Sequence, residues 1–202
     1  MAADVVSRDA VAAMAEQQHW ISSDAEKKAQ SSIQDVFRRG GAAGQGALSF
    51  LHGDFLHEPL HAVLTDIPVG AWTVTVVFDL LAAATRRRSL DRVADGALKL
   101  GLVGAVLAAV AGAADWSEIE HRAPRRIGAV HALLNIAATG AFAVSWIYRR
   151  KRRTRSDARL LALGAYAVTS VSAHLGGNLV YEHRVGVRTR PFGSTSARSD
   201  ED

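Results

Sequence analysis

Two stretches of this chain, residues 127–148 (IGAVHALLNIAATGAFAVSWIY) and 160–181 (LLALGAYAVTSVSAHLGGNLVY), contain no Asp, Glu, Lys or Arg. As helices rising 1.5 Å per residue, each reaches about 33 Å, the thickness of a bilayer's hydrocarbon core. Residues 61–84 and 93–114 are equally long but are interrupted by Asp66, Asp79, Asp95 and Lys99. A soluble four-helix bundle needs a polar stripe along every helix, and 127–148 offers only a sparse line of neutral groups. The expected fold is therefore all-α, an integral membrane four-helix bundle over 51–187. An N-terminal helical and flexible extension (1–50) precedes it, and a disordered tail (188–202) follows.

Charge sets the expected orientation. The formal net charge is +4, but residues 85–92 and 149–159 alone carry eleven Lys and Arg. Basic clusters flanking apolar spans mark the cytoplasmic side, so nucleic acid is not an expected partner. With four spans, both termini and the 115–126 loop are expected outside a bacterial cytoplasmic membrane, and the lipid bilayer is the expected partner.

The extension reads as two short helices, about 5–20 and 24–38, forming a loosely packed cap. The second begins at Ser22, Ser23 and Asp24 and ends at Gly40-Gly41. Residues 40–47 (GGAAGQGA) read as a flexible joint. No internal repeat is evident. The absence of cysteine excludes disulfide scaffolds, thiolate metal centres and thiol nucleophiles. Neither a GxSxG elbow nor a phosphate-binding glycine loop is present, and independent enzymatic activity is not expected.

Ionisable groups inside spans are costly, so each is a functional hypothesis. At the cytoplasmic level Asp79 and Lys99 have matching depths and are expected to form a structural ion pair, with Asp95–Lys99 as the competitor on one helix. In the opposite leaflet lie His61, His131 and His174. His131 heads a stripe with Asn135 and Thr139, and His174 shares one with Tyr166, Ser170, Asn178 and Tyr181. Three readings follow. Paired neutral imidazoles beside small residues suit an axially ligated haem b, with Arg122, Arg125, Arg126 and Arg184 available for propionates. The cofactor-binding set is then His61, His131, His174, Asp66, Asn135 and Asn178. Alternatively, the same histidines hold a metal or line a proton or ion path. In the third reading the layer only fixes the bundle as a structural scaffold.

The run LHGDFLHEPLHAVLTDIPVGAWTVTVVFDLL (51–81), Asp115-Trp116, VHALLN (130–135) and AHLGGNLVYEHRVGV (173–187) follow one another in the order of a bacterial membrane family. Over 51–187 the chain resembles that family, domain of unknown function twenty-two thirty-one. The matching positions include His57, His61, Asp66, Pro68, Gly70, Trp72, Asp79, His131, Asn135, His174, Gly176, Gly177 and Tyr181. The resemblance implies a four-helix integral membrane domain, which some members fuse to a Rieske domain. It therefore points to an electron-transfer subunit or an anchor for a redox partner protein. This chain has no Rieske cysteines, so that partner is expected to be another polypeptide.

Overall fold

The computed structural model describes residues 22–151 and 154–185, and these form six helices. They are α1 (Ser23–Arg39), α2 (Gly41–Leu51), α3 (Leu60–Thr85), α4 (Arg88–Ser117), α5 (Arg122–Arg149) and α6 (Arg155–Tyr181). The helix expected at 5–20 and the tail at 188–202 lie outside the described residues.

Helices α3 to α6 are each long and apolar enough to cross a membrane. Their packing is inverted relative to a soluble bundle. The interior of α4 is Ala94, Leu98, Gly101, Gly104, Ala108 and Ala111, while Leu100, Val103, Val106, Leu107 and Val110 face outward. On α6 the interior is Ala158, Ala162, Ala165, Thr169 and Ser172. Burying Ala, Gly and Ser while exposing Leu, Val and Ile has no hydrophobic rationale in water, but it brings helices close together in lipid. The chain is a multi-pass membrane protein.

The spans form two antiparallel hairpins, α3–α4 and α5–α6, which pack most extensively within themselves. The turn between α3 and α4 is only Arg86-Arg87, with Arg86 in the left-handed region at φ 58°. The helices α4 and α5 touch, as do α3 and α6, which leaves α3 and α5 on one diagonal. Across that diagonal the rings of Trp72 and Phe142 stack 4.1 Å apart and join Leu98, Ala162 and Ala165 in an apolar middle layer.

The extension differs from expectation in two respects. The glycine-rich joint is helical and begins α2, because Gly44 lets that helix abut the end of α1. A Cβ there would fall 1.9 Å from the Phe37 carbonyl oxygen. The cap is also tightly docked. Gln30 donates to the carbonyls of Trp116 (2.8 Å) and Ile119 (3.0 Å), and Gln34 to that of Ser117 (2.7 Å), at and just beyond the end of α4. Glu26, 2% exposed, binds Arg126 at 2.6 Å and Arg125 at 3.4 Å.

Candidate functional site

Between the cap and the apolar layer, His61 on α3 and His131 on α5 meet across the diagonal. Their ring centroids are 6.2 Å apart and the planes are perpendicular. Nδ1 of His61 lies 2.8 Å from the Ala108 carbonyl oxygen of α4. A carbonyl only accepts, so His61 donates from Nδ1, and Nε2 takes no part in that bond. His131 does the same toward α6. Its Nδ1 lies 2.8 Å from the Ser172 carbonyl and 3.0 Å from the Ser172 hydroxyl, which donates onward to the His131 carbonyl. The Asn135 amide, one turn along α5, faces His131 Nε2 at 3.0 Å. Two imidazoles thus link all four spans.

Each ring rests on a glycine of the helix to which it is bonded. A Cβ on Gly112 would fall 2.8 Å from the His61 ring, and one on Gly176 would fall 3.0 Å from the His131 ring. The small residues read from sequence as room for a cofactor are, at Gly176, room for the histidine itself.

The remaining expected site residues are dispersed. Asp66 is exposed on the outer side of α3. His174 is half-buried on α6, two residues beyond Ser172. Asn178 is buried and its Oδ1 has no hydrogen-bond partner. Among the described residues no group of three or more His, Asp or Glu side chains is arranged to hold a metal ion. Arg125 and Arg126 are engaged by Glu26, whereas Arg122 and Arg184 are exposed.

At the far end of the bundle the expected Asp79–Lys99 pair does not form. Lys99 is exposed on the outer face of α4, while the α3 face that carries Asp79 points inward. Asp79 is instead gripped through both oxygens by Arg149 at the end of α5. Asp95 also pairs with other residues, accepting from Arg149 at 3.0 Å and from Arg155 at 2.8 Å. Asp91 accepts from Arg155 at 3.0 Å and from Arg159 at 2.7 Å, and Arg159 reaches Asp79 at 3.8 Å. Three of the eleven basic residues read as an orientation signal therefore neutralise aspartates inside the protein.

The fold and this arrangement define a class, a four-span helical membrane bundle with one polar layer towards each end. Within that class the family described as "Predicted membrane protein (DUF2231)" matches residues 57–189, and the chain belongs to it. No curated protein and no solved structure matches the chain.

Proposed function

We propose that the protein is an electron-transfer subunit, or the membrane anchor of a redox partner, in which His61 and His131 would hold a b-type haem. One observation carries this reading. Both imidazoles face each other across the bundle with Nδ1–H fixed by a backbone carbonyl, the state in which Nε2 is a ligand and its orientation is set from behind. Haem, when bound, supplies reversible one-electron transfer. This chain's residues hold the imidazoles oriented, and Asn135 would have to release His131 Nε2 for ligation. Arg122 and Arg184 are the arginines left for propionates, since Glu26 engages the other two.

The apolar layer of Trp72, Phe142 and Leu98 lies between the histidine level and the Asp–Arg level. It does not support a proton or ion route joining them. In this reading the arginine-rich end faces the cytoplasm of a bacterium and the cap lies outside, in keeping with the basic loops.

The test is a dithionite-reduced minus oxidised spectrum of detergent-purified protein, with pyridine extraction to quantify haem. The expected result is a stoichiometric b-type band that disappears in both His61→Ala and His131→Ala. A colourless, folded protein from cells supplied with haem would overturn the proposal and leave the imidazole pair as a structural tie.

A further inference from the structure

Contacts on the two hairpins recur at fixed offsets. Adding seventy to a position on α3 gives its counterpart on α5, and adding sixty-four to a position on α4 gives its counterpart on α6. His61 then corresponds to His131, Trp72 to Phe142 and Asp79 to Arg149. Each of these pairs is in mutual contact across the diagonal. Ala108 and Gly112, the carbonyl and cradle of His61, correspond to Ser172 and Gly176, which serve His131 in the same way. Thr75 leans its hydroxyl towards the Ala94 carbonyl at 3.5 Å, and its counterpart Ser145 donates to Ala158, the counterpart of Ala94, at 2.6 Å.

The ion pairs obey the same rule. Asp91 corresponds to Arg155, and the two are bonded. Asp95 corresponds to Arg159, so Asp91–Arg159 and Asp95–Arg155 are mirror contacts, and both are present. Asp79–Arg159 and Arg149–Asp95 are likewise mirror contacts, and both are present. Residues that touch their own counterparts, flanked by reciprocal pairs, define an isologous interface about a two-fold axis. Because α3 and α5 run the same way, that axis lies along the bundle, as in transporters built from parallel repeats.

With the offset known, the sequence agrees without a gap. HAVLTDIPVGAWTVTVVFD (61–79) lies over HALLNIAATGAFAVSWIYR (131–149), with His, Ala, Leu, Gly, Ala and Val identical at 61, 62, 64, 70, 71 and 74. Trp/Phe, Thr/Ser and Phe/Tyr replace like with like. The reading that no repeat is present is thereby corrected. The repeat is masked by abundant alanine and valine and by a reversal of charge at three positions.

We infer that the membrane domain is a duplicated helical hairpin whose self-pairing surface has been split by charge into an acidic half, Asp79, Asp91 and Asp95, and a basic half, Arg149, Arg155 and Arg159. The same surface closing on a second copy's first hairpin would set aspartate against aspartate. Hairpin one therefore fits hairpin two and rejects a second copy of itself.

The test uses full-length protein in detergent, read by thermal midpoint and yield of monodisperse material. The triple variants D79R/D91R/D95R and R149D/R155D/R159D are expected to lose the folded species. The six-fold exchange, which leaves the net charge of this end unchanged, is expected to restore it, because Thr75 places a hydroxyl where Ser145 meets Arg149 at 3.3 Å. A milder exchange, Trp72→Phe with Phe142→Trp, is expected to unfold within a few degrees of the parent. Failure of both exchanges to improve on their single-sided variants would overturn the inference.

Discussion

Arg149 closes on both carboxylate oxygens of Asp79 from the far side of the bundle, and the two residues are only 6% and 3% exposed. Each brings a cost of desolvation that the other offsets in large part. Arg149 also carries Asp95 and leans on Ser145, so a single guanidinium joins α3, α4 and α5.

Replacing Arg149 by Met should therefore leave Asp79 with only the longer contact to Arg159. The expected loss is about 3–5 kcal/mol, as for other buried pairs broken from one side. Lys99→Met should stay within about 0.5 kcal/mol of the parent, because Lys99 is exposed and makes no ion pair among the described residues. Thermal unfolding of both variants in one detergent checks the difference. Equal losses would mean that Lys99 has a role this structure does not show.

The glycines separate equally clearly. Ala at Gly112 or Gly176 would push its Cβ into an imidazole held by a carbonyl at 2.8 Å, so the ring must break its bond or the helices must part. Overpacking of this kind costs about 1–3 kcal/mol. Gly70 and Gly140 have nothing within 4 Å of an added Cβ, and Ala there should be neutral or gain up to about 1 kcal/mol of helix propensity. Midpoints of the four single variants decide the matter, and a destabilised Gly70→Ala would count against the packing described.

The spans were legible in the sequence because hydrocarbon tolerates so few charges that 127–148 and 160–181 have no other home. The pairing of His61 with His131 was partly legible, since both fall at one depth. Its partners were not, because the Ala108 and Ser172 backbone carbonyls carry no residue-specific signal. Asp79 was matched to Lys99 by depth alone. Depth does not report the facing direction of a helix, and the basic run 149–159 reads as a loop although Arg149 ends α5. The repeat is hard to see in the sequence because Asp stands opposite Arg at three positions and alanine and valine are abundant elsewhere.

Glu26 binds the cap to the bundle through buried charge, so Glu26→Gln should act on α1 before it acts on the spans. It removes the carboxylate charge that Arg125 and Arg126, 6% and 3% exposed, share at Glu26. A loss of about 3 kcal/mol raises the open fraction of a locally unfolding segment by about a hundredfold. Lys27 and Lys28 are exposed beside it and report that opening as tryptic cleavage. Cleavage there should accelerate strongly in Glu26→Gln, while the midpoint of the span bundle changes little. Asp35→Asn removes only an exposed pair with Arg38 and should leave the rate unchanged. Equal cleavage rates in Glu26→Gln and the parent would show that the glutamine bonds to the end of α4 suffice to hold the cap.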